Sequence, residues 1–344
     1  MSTAPALNGS PPSTDPAPTK PTTALTPSDV RYGIVLGSPR SGTTYLMSVL
    51  NSLPEVEALT GTILPTAVPH VVNRDLPRDV YDALAVGFER ALDAYLHSGR
   101  FRSRAAALQK WINAPTSLSG LLDAFRGRRT CRTFIYKEPF LSFAPRFVLD
   151  ALPGARIVHI YRDGRDVANS LVRTYGVLTD EALSTLRGSE MRLGRKVDHR
   201  YVPWWVEAGR EAEFLGATPY VRSIWMWKVM VRALHEAYSE PEVRASGRVL
   251  LLSYEDFVTD PVRHGEAVLS HFGELSTPSF RKQLSQAHTA SIGAYKRRDP
   301  AEVREAERIA GDELRLYGYL TPPPCPSSWR AGHTLGAASG PSLS

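Results

Sequence analysis

The chain of 344 residues has only two cysteines, Cys131 beside an apolar run and Cys325 in proline-rich coil. Two thiols so far apart and so unlike in setting suggest neither a disulfide framework nor a cysteine-built metal site, and they agree with a cytoplasmic location. Long hydrophobic runs are also missing. No stretch approaches the roughly 20 apolar residues needed to cross a bilayer. Residues 1–29, rich in Pro, Thr and Ala, lack the basic start and hydrophobic middle of a leader segment. No membrane is therefore expected among the partners. Acid is in slight deficit, with 35 Asp and Glu against 41 Lys and Arg, a formal charge of +6. That excess suits a multiply anionic ligand and also nucleic acid, but no recognisable nucleic-acid module accompanies it, so nucleic acid is not expected as a partner.

What is present suffices for one large α/β domain. Hydrophobic residues make up 42% of the chain, enough for a single core over about residues 30–320. The ends, 1–29 and 321–344, read as disordered tails from their Pro, Ser, Thr, Ala and Gly content.

The most informative segment is Gly37-Ser38-Pro39-Arg40-Ser41-Gly42-Thr43-Thr44. It follows the apolar run Tyr32–Leu36 and precedes the helix-like Tyr45–Leu53. Strand, glycine turn and helix in that order form a phosphate-binding loop, in which backbone N–H groups curl around an anion at a helix N-terminus. A nucleoside-triphosphate loop has Lys after its second glycine. Here Thr43 stands in that place and the cation lies inside the loop, at Arg40. On spacing alone, an ordinary Gly-Ser-Pro turn is the competing reading.

A second strand–turn–helix begins at Ile157–Tyr161 and continues through Arg162-Asp163-Gly164-Arg165-Asp166 into Val167–Arg173. Arg162 at the strand end and Ser170 two turns into the helix can give a guanidinium fork and a hydroxyl to another phosphate. The alternative is that the charged residues of this turn merely pair with one another on a solvated helix start.

Along the rest of the chain the first helix ends near Pro54, and Glu55–Pro69 reads as irregular. Helical spacing of Val80, Leu84, Phe88, Leu92 and Tyr95 predicts helices over 79–109. Thr133–Tyr136 reads as a strand, Ser142–Leu152 as a helix, Ser223–Tyr238 as a helix, Val249–Ser253 as a buried strand, and Pro261 as a helix start after Asp260. Segments of about 70–130 and 175–222 are insertions expected to cap a substrate.

In these residues the chain resembles sulfotransferases that use 3′-phosphoadenosine 5′-phosphosulfate (PAPS), the bacterial enzymes and tyrosylprotein sulfotransferases in particular. Pro39, Arg40, Ser41, Gly42, Thr43 and Thr44 resemble the 5′-phosphosulfate loop, and Arg162 to Ser170 resemble the 3′-phosphate motif. Tyr136-Lys137-Glu138-Pro139 resembles the K-x-P strand, and Tyr254-Glu255-Asp256-Phe257 with Pro261 resembles the Y-E-D-L-x-x-x-P element. Residues 291–320, with Tyr295-Lys296-Arg297, are similar to the closing segment.

The resemblance implies a three-layer, P-loop-like α/β fold with a central parallel sheet flanked by helices, and cap insertions over the site. It also implies PAPS as sulfuryl donor with no metal, and a small-molecule, glycan or natural-product acceptor. Arg40 and Lys137 would then be catalytic cations, and Tyr254, Lys296 and Arg297 would join the loop and Arg162–Ser170 in holding the nucleotide. For Lys137 a surface strand lysine is the competing reading.

The family's base is missing from its usual places: Thr60 and Gly61 stand where tyrosylprotein sulfotransferases have a Glu, and Pro139 where cytosolic sulfotransferases have a His. Glu57, His70 and Glu138 remain. Glu138, next to Lys137 on the strand, points to the other face and reads as a structural ion-pair partner. His70, with a near-neutral ordinary pKa, is the preferred base. Two alternatives are a non-catalytic nucleotide-binding protein and, against the missing Walker lysine, a P-loop kinase.

Overall fold

A computed structural model describes residues 30–61, 63, 67–185 and 193–321. Apart from Thr321, both expected tails lie outside the described residues, as does Cys325. The chain enters through β1 (Arg31–Leu36), the loop 37–42 and α1 (Thr43–Asn51), and returns in β2 (Val56–Thr60). Next come α2 (Val68–Val72), α3 (Arg78–His97), α4 (Gly99–Arg102), α5 (Arg104–Asn113) and α6 (Leu118–Phe125). β3 (Thr133–Lys137) follows, then a 3-10 helix (Pro139–Phe143), α7 (Pro145–Ala151) and β4 (Arg156–Tyr161). α8 (Gly164–Tyr175), α9 (Asp180–Thr185), the hairpin β5 (Arg195–Val197) and β6 (Arg200–Val202), α10 (Glu211–Gly216), α11 (Pro219–Ser239) and α12 (Pro241–Ala245) lead to β7 (Val249–Ser253). α13 (Tyr254–Thr259), α14 (Pro261–Phe272), α15 (Pro278–Leu284), a second 3-10 helix (Ala294–Arg297) and α16 (Pro300–Leu316) complete the described chain.

Five strands form one parallel sheet in the order β2-β3-β1-β4-β7. β1 is central because its apolar residues alternate between two cores. Ile34 and Leu36 face a layer that includes Phe88, Phe147 and Leu234, while Val35 faces one that includes Leu46, Leu50, Phe257 and Phe272. Both faces of the strand are thus buried, as a parallel sheet requires. A third cluster joins α8, α10, α11 and α16 through Val167, Leu171, Phe214, Trp225, Trp227 and Leu314.

The structure departs from the sequence expectations in three places. Val56–Thr60 is not irregular but pairs with β3 in register, Glu57 opposite Phe134 and Thr60 opposite Lys137. Its charged Glu57 is tolerated because Arg129 and the Tyr95 hydroxyl bond its carboxylate. β7 is an edge strand, so its outer side is open and Leu251 is exposed although the run is apolar. The helix expected from Ser142 starts only at Pro145, since the 3-10 helix capped by Glu138 occupies the turn before it.

The 70–130 segment does more than one job. α3 forms part of the helical layer through Phe88 and Leu92, with Phe88 5.9 Å from Tyr136 and 6.0 Å from Phe147 between ring centroids. Around 175–222 the fully buried Arg222 is the keystone. Its guanidinium donates to the carbonyls of Phe214 (2.9 Å), Leu178 (2.8 Å) and Leu215 (2.5 Å) and to Asp180 (2.8 Å).

Candidate functional site

The C-terminal ends of β1, β3, β4 and β7 come to one edge of the sheet, where the phosphate loop, Lys137, Arg162 and Tyr254 directly follow or end a strand. Gly37 leaves β1 with φ 148° and Gly42 precedes α1 with φ 94°. A Cβ would lie 2.2 Å from the Ile160 carbonyl oxygen at Gly37, and 2.4 Å from the Tyr254 ring at Gly42. Both positions therefore require glycine. Between them Arg40 has φ 71°, a left-handed conformation that costs a residue with a side chain about 1 kcal/mol. The loop is braced from both outside and within: Gly37 N–H donates to Ser142 Oγ at 2.9 Å and Ser41 N–H to the Ser38 carbonyl at 3.1 Å.

α1 starts at Thr43 with no side-chain cap and no acidic residue in its first turn. Its leading N–H groups and the positive end of its dipole are left for an anion. Lys137, at the end of β3 opposite Val35, donates from Nζ to Thr44 Oγ1 at 3.2 Å. Burial holds the Lys137 ammonium below its ordinary pKa; Glu138 opposes that effect and Arg40 adds to it. The positive charge of Arg40 so close to the Lys137 ammonium makes this a site that an anion stabilises.

The second element meets the first. Arg40 Nε donates to Ser170 Oγ at 2.9 Å, and its guanidinium lies 5.5 Å from the centroid of the exposed Tyr175 ring. Arg162 is buried, 4.4 Å over the Tyr254 ring, and donates to the Arg40 carbonyl (3.2 Å) and the Ser291 carbonyl (2.6 Å). It therefore ties the loop to the closing segment as well as supplying charge. Tyr254 Oη is 3.1 Å from Ser291 Oγ. Asp166 accepts from Gly293 N–H (2.6 Å) and Tyr295 N–H (2.9 Å), strapping the 3-10 helix that carries Lys296 and Arg297 onto α8. Burial raises the Asp166 pKa, against the two N–H donors.

The residues singled out from sequence fall into two groups. Pro39 to Thr44, Lys137, Arg162, Ser170 and Tyr254 are brought together, with the exposed Lys296 and Arg297 on the strapped segment. His70 lies apart on α2. Its Nε2 is 2.7 Å from an Arg74 guanidinium nitrogen and its ring 5.1 Å from Trp204. Burial first, and Arg74 second, hold its pKa below the ordinary value, which keeps the imidazole neutral. α2 packs beside the 3-10 helix that follows Lys137, with Asn73 donating to the Phe143 carbonyl at 2.7 Å. Glu57 is tied to Arg129 and Tyr95, and Glu138 accepts from Phe140 N–H at 3.2 Å.

Sequence reasoning missed four contributors. Ser142 and Asp166 act on backbone groups far away in the chain, which no local pattern reveals. Arg173 and Arg298 could have been found, one a turn beyond Ser170 and the other next to Lys296-Arg297. With Asn169, Arg297, Asp299 and Glu302 they line a cleft of about 500 Å3, in which Glu302 pairs with Arg298 at 2.6 Å.

Residues 34–215 match the profile described as the sulfotransferase family. The chain belongs to that family. This sulfotransferase-family chain is 26% identical over 163 residues to carbohydrate sulfotransferase 2 of Mus musculus and of Homo sapiens, which covers 45% of the chain and 29% of each relative. The match thus spans less than a third of those relatives' length. Among solved structures, the sulfotransferase domain of the Synechococcus PCC 7002 olefin synthase is 17% identical, covering 86% of this chain and 97% of that one with a TM-score of 0.43. Sulfotransferase STF1 from Mycobacterium tuberculosis H37Rv is 15% identical, covering 82% and 77% with a TM-score of 0.39. Among the described residues no helix is long and apolar enough to cross a membrane, and no group of three or more His, Cys, Asp or Glu is placed to hold a metal ion.

Proposed function

We propose that the domain, about residues 30–320, moves a sulfuryl group from PAPS to a hydroxyl or amine of a small molecule, glycan or natural product, in the cytoplasm and without a metal. The observation that carries this reading is the convergence of Arg40, Lys137 and the uncapped start of α1 on one loop, with Ser170 bonded to Arg40 from the second basic element. The donor set of N–H, guanidinium, ammonium and hydroxyl fits two anionic groups on one ligand. The relatives named carbohydrate sulfotransferase support a glycan as one acceptor class.

PAPS supplies an activated sulfuryl group on a phosphate leaving group. By analogy with phosphoryl transfer through a loose transition state, the work left to the protein is alignment and charge stabilisation. The α1 N–H groups, Arg40 and Thr44 hold the 5′-phosphosulfate end, and Lys137 meets the charge that grows on the bridging oxygen. Ser170 and Arg162, with Arg173 and Arg297 from the adjoining cleft, hold the 3′-phosphate. Sulfate carries one charge fewer than phosphate, which lessens the repulsion a metal otherwise offsets. His70 takes the acceptor proton at Nε2 once Arg74 moves aside: the guanidinium can only donate, so its contact uses the Nε2 lone pair and leaves the hydrogen of the neutral imidazole on Nδ1. The acceptor then lies between α2 and the 3-10 helix, where Trp204 packs on both His70 and Phe143.

The test is product formation from PAPS, read by mass spectrometry as adenosine 3′,5′-bisphosphate released together with a sulfated acceptor, across phenols, amines and oligosaccharides. Release without any sulfated product, or dependence on ATP and magnesium in place of PAPS, contradicts the proposal.

A further inference from the structure

The positive charge of this chain is clustered in more than one stretch: residues 281–298 hold five basic residues and no acidic one. Residues 97–130 hold seven basic residues (Arg100, Arg102, Arg104, Lys110, Arg126, Arg128 and Arg129) and one acidic residue, Asp123, an excess of six that equals the formal charge of the whole chain. Lys110 is buried and Arg129 nearly so, each held by other groups. The other five are exposed. They share one surface, because α4 lies against the turn after α6. Arg129 donates to the Phe101 carbonyl at 3.2 Å, and a Cβ on Gly127 would meet Arg104 Cγ at 3.1 Å. Asp123 is already shared by Arg126 and Arg128 at 4.0 and 3.7 Å.

Apolar side chains project from the same helix pair. Leu118, Leu122 and Phe125 repeat at i, i+4 and i+7 along α6, and are 81%, 55% and 56% exposed, with Ile112 of α5 at 62%. Beneath the pair is a cavity of about 600 Å3 whose walls include Val30, Pro54 and Cys131. α5 and α6 therefore sit at the edge where the strands begin, opposite the phosphate loop.

We propose that this face of α4–α6 docks on an anionic phospholipid surface, leaving the phosphate-loop edge of the sheet turned toward solution. Large apolar side chains projecting from a helix beside a cluster of long-stemmed arginines match an interfacial contact: the apolar tips enter the acyl boundary and the guanidinium groups reach lipid phosphates. A second copy of the chain would bring the same five arginines against each other. This differs from the expectation of no membrane partner, which rested on the absence of a spanning segment; lying on a bilayer needs none.

The experiment is flotation of the full chain with vesicles of phosphatidylcholine alone and of phosphatidylcholine with phosphatidylglycerol, at low and high salt. Expected are binding to the anionic vesicles only and its loss at high salt, since screening shortens the reach of the arginines. Arg100→Gln and Arg126→Gln should each weaken binding about fivefold, the equivalent of about 1 kcal/mol per surface cation. The triple variant Leu118→Ser, Leu122→Ser, Phe125→Ser should weaken it by at least about tenfold. These side chains are exposed, so melting temperature and adenosine 3′,5′-bisphosphate binding in vesicle-free solution should be unchanged. Binding of neutral vesicles as well as anionic ones, no vesicle binding at all, or a triple variant that binds like wild type overturns the proposal. So does a wild-type dimer in solution that the triple variant abolishes, which would make a second copy the occupant.

Discussion

Arg40 Nε and Ser170 Oγ lie 2.9 Å apart although 130 residues separate them in the chain. One is the cation of the glycine loop and the other a hydroxyl of the second basic helix, so the loop and that helix meet directly, as the proposed function requires of its two phosphate positions. The contact also sets what substitution at either residue should do.

Arg40→Ala should lower transfer by about 10²–10³-fold, the loss seen when one preorganised donor to developing charge is removed. Stability should hardly change, because the lost Ser170 contact is half-exposed. Arg40→Gly should be equally inactive yet as stable as wild type or more so, since glycine adopts φ 71° without strain. Steady-state rates and thermal melts on both variants decide this; an active Arg40→Gly removes the residue from the chemistry.

Ser170→Ala and Arg162→Ala should differ in kind. The serine variant should weaken adenosine 3′,5′-bisphosphate more than adenosine 5′-phosphate, with the fold intact. The arginine variant should lose affinity for both and also melt earlier, because Arg162 holds the Arg40 and Ser291 carbonyls from a buried position. Calorimetric affinities for the two nucleotides, beside melting curves, separate the roles. If Ser170→Ala weakens both nucleotides equally, Ser170 does not read the 3′-phosphate.

His70→Ala should reduce kcat by roughly 10²–10⁴-fold with little effect on nucleotide affinity. Because burial and Arg74 depress the His70 pKa, the acidic limb of the kcat/KM profile should fall below the ordinary imidazole value, and the rate should drop as pH falls through it. Arg74→Ala should move that limb upward by removing a neighbouring positive charge. A wild-type limb that neither variant alters contradicts the assignment of His70 as base.

Much of the fold could be read from the chain because its strands are apolar runs with clear ends. Ile34-Val35-Leu36, Ile157–Tyr161 and Leu250–Leu252 needed no tertiary information. β2 was missed because Val56-Glu57-Ala58-Leu59-Thr60 carries an acid in mid-strand, and the partner that neutralises it, Arg129, is 72 residues away. The hairpin β5–β6 was missed for a similar reason. Its strands have three residues each, and Arg200 at the start of β6 donates to the Leu215 carbonyl at 3.2 Å, well along the chain. At the site, the loop and Arg162 were legible from strand–turn–helix order. The strap made by Asp166 to two N–H groups of the closing segment was not, since a carboxylate that accepts from distant backbone leaves no mark in spacing.

Lys110 gives a pH test of the fold that is independent of catalysis. Its ammonium donates to the Asn51 carbonyl at the end of α1 at 2.7 Å and to the Val56 carbonyl at the start of β2, and burial pushes its pKa down to about 7. The folded state then binds fewer protons than the unfolded state between that value and the ordinary 10.5. Stability contributed through this group should therefore rise with pH across the window. Lys110→Met should flatten the rise, and it should lower stability by about 1–3 kcal/mol by leaving two carbonyl groups without a donor. Melts at pH 6.5 and 8.5 compare the slopes; identical slopes in wild type and variant contradict the assignment.

The central claim is that the glycine loop and the second basic helix together hold a nucleotide with phosphates at both the 3′ and 5′ positions. Titration calorimetry of the chain with adenosine 3′,5′-bisphosphate in the presence of EDTA tests it without knowledge of the acceptor. Saturable one-to-one binding is expected that needs no metal, is stronger than for adenosine 5′-phosphate, and is weakened by Ser170→Ala. Absence of binding, or a preference for ATP that depends on magnesium, would contradict it.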